Sequence, residues 1–210
     1  MITVLIADDH DIVREGLRQI VSETTDIMVG GEARTGAEAL SRAREREWDV
    51  IVLDLNLPDR PGLDVLAQLR QSHPDVPVLI LSMHREVSYA TRALQAGAMG
   101  YVGKDSAREF LVNAIRRLAA GQRFISPELA ESLAFELMDG SSKKKHEHLS
   151  DREFQVLCMI ARGKPPRAIA AELNVSVKTI GTHRARLLQK MGLRNNAEVV
   201  QYAIEHRLLD

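Results

Sequence analysis

Five short apolar runs, each followed by a helix-length amphipathic stretch, fill the first 120 residues. No other feature restricts the fold as much. The runs are TVLIA (3–7), IMVGGEA (27–33), DVIVL (49–53), VPVLILS (76–82) and MGYVG (99–103). The amphipathic stretches are 11–22, 36–47, 62–72, 86–96 and 106–119. Apolar and β-branched runs without polar alternation predict strands buried on both faces. Strand and helix alternating five times predict an α/β domain, a parallel (βα)5 sheet with helices on both sides and right-handed crossovers. Open sheets of this kind place their sites at the carboxyl ends of the strands, near the point where strand order reverses.

Past residue 120 no further strand pattern is visible. GQRFISPELAESLAFELMDG predicts one helix, with Ser126 as its cap and Pro127 at the first helical position. GSSKKKHEH (140–148) is polar and aperiodic, the composition of a flexible linker. Residues 149–208 predict four short helices. The expected organisation is a sheet domain (1–120), a linker with one helix (121–148) and an all-α domain (149–210). Charge follows the same division. Residues 1–120 carry 14 Lys+Arg against 18 Asp+Glu, residues 121–140 carry 1 against 4, and residues 141–210 carry 13 against 7. A basic tail behind an acidic front points to nucleic acid as the tail's partner.

The apolar runs are far shorter than the ~18 residues of a membrane span. The amino terminus reaches Asp8-Asp9 with no basic segment ahead of it, which is not the pattern of a signal peptide. A cytoplasmic protein without membrane association is therefore expected. The only cysteine, Cys158 in VLCMIA, excludes an internal disulfide and a cysteine-rich zinc site, and it reads as core.

The strand ends hold the chemistry. The first strand ends in Asp8-Asp9, the third in Asp54, the fourth in Ser82, and Lys104 follows the fifth. A single aspartate at a strand end is ordinarily a helix cap. Capping does not explain two acidic sites, a hydroxyl and a lysine on four strand ends. Converging carboxylates repel and call for a cation. Oxygen ligands with retained waters suit Mg2+ (or Mn2+), here held by Asp9 and Asp54. Asp54 can then act as a nucleophile toward a phosphoryl group, with Lys104 and Ser82 binding the phosphate oxygens.

In the tail, Ser150-Asp-Arg-Glu153 has the spacing of a capping box and opens a helix with Phe154, Leu157, Cys158 and Ala161 on its inner face. A short helix from PPRAIAAEL, a turn at Asn174-Val-Ser and a longer helix over 177–191 predict a helix-turn-helix. Ile180, Leu187, Leu188 and Met191 form the apolar face of the longer helix. Lys178, Thr179, Gly181, Thr182, His183, Arg184, Arg186 and Lys190 are its candidate contacts to double-stranded DNA.

Two resemblances follow from these motifs. IADDH (6–10), VLDLNLPDRPG (52–62), LILS (79–82) and GYVGKD (100–105) resemble the flavodoxin-like receiver domain of two-component response regulators. The resemblance implies that Asp54 accepts a phosphoryl group from a sensor histidine kinase and that Asp8 and Asp9 form the acidic pair. It also implies a metal-ligating carbonyl on Asn56, and it gives Ser82 and Tyr101 the switch positions. Lys104-Asp105 and Gly103 depart from the commonest receiver pattern. LSDREFQVLCMIARGK and IAAELNVSVKTIGTHRARLLQKMGLRNNAEVV resemble the LuxR-type DNA-binding domain. Together the two halves are similar to the NarL/FixJ class of response regulators. That class implies a transcriptional regulator, with helix 177–191 in the major groove, helix 196–207 forming a homodimer, and RNA polymerase as a further partner. Pro165-Pro166 replaces the polar pair usual before the scaffold helix, and Gly181 and Ala185 stand where long side chains are usual, so base readout is expected to lean on Thr182, Lys178 and DNA shape.

Two other readings exist. A phosphatase with an aspartate nucleophile, similar to the haloacid dehalogenases, places a second acid two residues after the nucleophile, where this chain has Asn56. A receiver acting only by docking partners would show no salt-dependent affinity for DNA.

Overall fold

The computed structural model describes residues 1–83, 87–138, 145–206 and 208–209. They form two compact units, Met1–Ala134 and Phe135–Asp210.

The first unit is built on β1 (Ile2–Ala7), β2 (Ile27–Ala33), β3 (Val50–Leu53), β4 (Val78–Ser82) and β5 (Gly100–Gly103), all parallel. A sixth strand, β6 (Phe124–Ile125), completes the order β2-β1-β3-β4-β5-β6. The five long apolar runs therefore become the five strands expected. Every residue of β3 and β4 is buried, as continuous apolar runs require, whereas the edge strand β2 is buried only at its two ends. Val4, Ile6, Val52, Leu79, Leu81 and Val102 meet Leu111, Ile115 and Leu118 in the core.

Helices α1 (Asp11–Ser22), α2 (Gly36–Ala43), α3 (Gly62–Ser72), α4 (Val87–Gln95) and α5 (Ala107–Ala119) connect the strands, and α6 (Pro127–Met138) follows β6. The strand β6 was not expected. Two residues carry no periodicity to read, and they pair because Gly121, at φ 75°, turns the chain back along the free edge of β5, where Phe124 N–H donates to the Met99 carbonyl at 3.1 Å. Helix α2 ends four residues before the periodicity does. The Trp48 indole N–H donates to the Arg42 carbonyl at 2.9 Å, satisfying the helix end in place of a further turn.

The second unit contains α7 (Asp151–Ala161), α8 (Pro166–Glu172), α9 (Val177–Met191) and α10 (Asn196–Glu205). The expected capping box is present. Ser150 N–H donates to Glu153 Oε2 at 2.8 Å, and the Ser150 hydroxyl accepts from Glu153 N–H at 3.4 Å. Asn174 takes a left-handed conformation, φ 51°, at the turn between α8 and α9. Ser176 caps α9 by accepting from Thr179 N–H at 3.0 Å, and Gly192 ends it at φ 67°.

The segment expected as a linker with one helix carries that helix, and its far end belongs to the second unit. Its first part, 121–138, carries β6 and α6, and the division between the two units falls within α6. Residues 140–144 lie outside the described residues. Lys145–His148 form a 3-10 turn that is part of the second unit. His146 is buried there, with Nδ1 3.0 Å from the Tyr202 hydroxyl and its ring against Phe154. An imidazole with a buried phenol partner and an aromatic neighbour orders its segment, and composition alone does not show this.

Candidate functional site

Strand order reverses between β1 and β3, and the acidic residues gather at that point. Ala7 stands beside Leu53 in the sheet, so the next residue of each strand, Asp8 and Asp54, is brought to the same edge. Asp54 N–H donates to the Ala7 carbonyl at 2.8 Å, and Asp8 N–H to the Ala33 carbonyl at 3.0 Å. On the other side Ser82 pairs with Gly103, which puts Ser82 and Lys104 at the same edge.

The segment after Asp54 folds back on the strand end. Asn56 bridges to Pro61, Gly62 N–H donates to the Leu55 carbonyl at 2.8 Å, and Asn56 N–H reaches Asp54 Oδ1 at 3.2 Å. Gly62 is required in this turn, since a Cβ there would lie 2.3 Å from the Asp54 carbonyl oxygen and 2.5 Å from Leu55 Cα. The Asp59 carboxylate holds the turn to the start of α2 by accepting from Gly36 N–H at 2.6 Å and Ala37 N–H at 2.9 Å. Burial would raise the Asp59 pKa, but these donors outweigh it and hold the carboxyl below its ordinary value.

At the centre, the Lys104 ammonium lies 2.6 Å from Asp54 Oδ2 and 2.7 Å from Asp8 Oδ2. The Asp8 contact is an ion pair without the alignment of a directed hydrogen bond. Asp8 and Asp54 are about 1% exposed as residues, and the Lys104 side chain is 5% exposed. Burial pushes the Asp54 carboxyl up to about 6, with Lys104 opposing it and Asp8 adding to it. Burial acts downward on Lys104, but Asp54 and Asp8 prevail and its ammonium titrates above the ordinary lysine value. Tyr101 is buried and hydrogen-bonded to Ser82, and burial raises its pKa. The pocket is a charged site removed from water in which one ammonium offsets two buried carboxylates. Asp9, whose side chain is one-third exposed, is the acidic group open to an arriving ion.

Three residues missed in the sequence reading support the pocket. His10 places Nδ1 2.7 Å from Asp9 Oδ1 and 3.1 Å from Asp8 Oδ1. Arg14 is buried, donating to the Asp8 carbonyl at 2.6 Å and to Glu32 Oε2 at 3.1 Å, with Asp11 as a further partner. A charged residue in line with Leu17 and Val21 on the inner face of α1 was the available signal. Asp59, the third, was hidden because its partners are backbone amides 22 and 23 residues away.

Oxygen donors dominate the cluster Asp8, Asp9, His10 and Asp54, whose ligand atoms all lie within 4.8 Å of one another. That donor set and spacing fit a hard divalent cation.

On α9 the candidate DNA contacts divide into two groups. Lys178, Gly181, Thr182 and Arg186 are exposed, together with Ala185 and Gln189. The rest are engaged within the unit. Thr179 shares a 2.8 Å hydrogen bond with Ser176. Arg184 Nε donates to Asn196 Oδ1 at 2.7 Å, and Lys190 Nζ sits 2.6 Å from Glu153 Oε2. His183 is half-buried with Nδ1 hydrogen-bonded to none of the described residues, and burial followed by Arg152 lowers its pKa. Five of the eight candidates are exposed, Lys190 among them even with its ion pair, because Ile180, Leu187, Leu188 and Met191 turn the opposite face into the core.

A parallel α/β unit with an acid–lysine pocket, followed by a helix-turn-helix unit, defines a class of signalling regulators, and comparison with known proteins agrees. The family model of the response regulator receiver domain matches residues 4–116, and that of the bacterial regulatory proteins of the luxR family matches residues 147–203. The response regulator GacA of Pseudomonas protegens is 37% identical over 210 residues, covering 100% of this chain and 99% of its own. The response regulator UvrY of Escherichia coli is 34% identical over 209 residues, covering 99% and 96%. A solved structure of two RcsB dimers bound to two parallel DNAs is 26% identical, with a TM-score of 0.61 and coverage of 96% of this chain and 97% of that one. The chain belongs to the response regulators that join a receiver domain to a LuxR-type domain. It is a phosphorylation-regulated transcription factor.

Proposed function

We propose that Asp54 is the phosphoacceptor, that Asp8, Asp9 and Asp54 hold a Mg2+ or Mn2+ ion together with the Asn56 carbonyl, and that the phosphoryl donor is a sensor histidine kinase. The observation that carries this reading is the Lys104 ammonium, 2.6 Å from a carboxylate that is itself 1% exposed. Such an arrangement holds a nucleophile ionised in a dry site and keeps a positive charge where phosphate oxygens will lie. One Asp54 oxygen attacks phosphorus, the phosphorus–nitrogen bond of the donor breaks, and the freed imidazole takes up a proton. The bound cation would neutralise charge on the phosphoryl oxygens. Lys104 then exchanges its pairing with Asp54 for a phosphate oxygen, and the Ser82 hydroxyl takes another. The Ser82–Tyr101 hydrogen bond carries the change into β5.

The output reading assigns α9 to the major groove of double-stranded DNA, with Lys178, Thr182 and Arg186 as its first contacts and Gly181 at the closest approach. Thr179, His183, Arg184 and Lys190 would support that helix or reach phosphate after exchanging their present partners. Homodimerisation through α10 matches a two-fold DNA site, and RNA polymerase is the partner at the promoter. A cytoplasmic location suits these partners, and no helix among the described residues is long and apolar enough to cross a membrane. The domain limits proposed are the receiver at 1–120, a connector from 121 carrying β6 and α6, and a DNA-binding domain at 149–210 to which the turn Lys145–His148 is joined.

The test is labelling with a small phosphodonor and Mg2+ followed by peptide mass spectrometry. Label is expected on Asp54 in the parent and absent in Asp54→Asn. Lys104→Ala is expected to retain part of the label while losing the phosphorylation response in DNA binding. Stoichiometric label on another residue, or a normal response in Lys104→Ala, contradicts the assignment.

A further inference from the structure

We infer that His10 is itself a ligand of the divalent cation and gives this pocket a preference for first-row transition-metal ions over Mg2+; this rests on the metal reading above. Asp8, Asp9, His10 and Asp54 each present one donor atom, and all four lie within 4.8 Å of one another. An octahedral ion with ligands at about 2.1 Å spaces neighbouring donors ~3 Å apart and opposite donors ~4.2 Å apart. The four atoms span slightly more than one coordination shell, so an ion would draw them together by a short movement of exposed side chains. His10 Nδ1 stands at neighbouring-donor distance from Asp9 Oδ1, 2.7 Å, and from Asp8 Oδ1, 3.1 Å.

A second observation concerns the helix cap. His10 holds the N-cap position of α1, where a side chain normally accepts a hydrogen bond from the first turn, and its side chain makes no capping bond. Its backbone N–H instead donates to Asp8 Oδ1 at 2.8 Å, which fixes the residue over the acidic pair with its ring turned toward the carboxylates. The side chain is 58% exposed, so core packing does not account for the placement.

The chemistry follows from the donor. Mg2+ takes oxygen ligands and gains little from an imidazole, whereas first-row transition dications bind imidazole nitrogen well. A site of three carboxylates and one imidazole should therefore favour Mn2+, and more strongly Co2+ or Ni2+, over Mg2+.

The experiment uses the full chain with Mn2+ and Mg2+ as probes. Titration calorimetry gives the Mn2+/Mg2+ affinity ratio, and pulsed electron spin resonance of bound Mn2+ reports nitrogen in the first coordination shell. The parent is expected to bind one Mn2+ with imidazole nitrogen coupling. His10→Gln is expected to lose the coupling, with the ratio falling at least about tenfold, since losing even an outer-shell partner of a ligand costs a metal site ~10-fold. One bound Mn2+ without nitrogen coupling, or an unchanged ratio in His10→Gln, overturns the role of His10 and leaves the pocket assignment standing. Tighter binding of both ions in His10→Gln also overturns it, showing His10 to be a counter-ion that the metal displaces. No Mn2+ binding, or equal binding in the double variant Asp9→Asn with Asp54→Asn, overturns both readings.

Discussion

Removing the charge of Asp54 should stabilise the metal-free protein, and the pocket gives the size of the effect. Its carboxyl is pushed up to about 6 from 3.8, chiefly by burial, so the folded state binds this proton more tightly than the unfolded state does. The stability associated with that proton is fully present below pH ~4 and is lost as pH rises through 6. About two pKa units correspond to roughly 3 kcal/mol of cost at neutral pH. Asp54→Asn removes that cost, and the figure is already net of the attraction to Lys104, which is among the causes that set the value. The expected gain is therefore up to about 3 kcal/mol at pH 7.5, a rise in melting temperature of roughly 8 °C. Urea unfolding with a chelator present, repeated from pH 4.5 to 7.5, measures it. The difference between parent and variant should grow with pH through that range. Mg2+ should narrow it, by stabilising the parent more than the variant. A variant that is less stable than the parent at pH 7.5, or a difference independent of pH, would refute the view that Asp54 is held ionised against its burial.

Other outcomes follow from single positions. Gly62→Ala forces a Cβ against the Asp54 carbonyl and Leu55 Cα, backbone that cannot yield cheaply, and should cost at least the 1–3 kcal/mol of an overpacked core in urea unfolding of the receiver unit. Gly181→Ala meets open space in the middle of α9 and should stabilise the second unit by up to ~1 kcal/mol. If α9 uses that gap for close approach, the same variant binds operator DNA more weakly with an unchanged salt slope; equal affinity leaves Gly181 without a role. His146→Ala removes a buried ring and the partner of the Tyr202 hydroxyl. It should destabilise the second unit by about 2–4 kcal/mol, read by thermal unfolding.

β1, β3 and β4 were legible because each is a run of apolar residues with no polar alternation, which favours burial on both faces, and β2 and β5 because their apolar runs recur between amphipathic stretches. The pocket was legible because its parts fall at or just beyond the ends of those runs, at Asp8-Asp9, Asp54, Ser82 and Lys104. Features held by hydrogen bonds distant in sequence were not. The pairing of Phe124 and Ile125 with β5, the hold of Asp59 on α2 and the seat of His146 against Tyr202 each depend on a partner that tertiary folding supplies. On α9 the period separated inner from outer faces correctly at Ile180, Leu187, Leu188 and Met191. It did not show that Arg184 and Lys190, residues with long side chains near the boundary, are taken by Asn196 and Glu153.

The measurement closest to the central claim is operator DNA binding by the full chain, unphosphorylated and phosphorylated, as a function of salt. Phosphorylation of the parent should raise affinity for a selected two-fold site, with log affinity falling linearly against log salt, and Asp54→Asn should show no response to the phosphodonor. Binding that is insensitive to salt, or an equal response in Asp54→Asn, would contradict it.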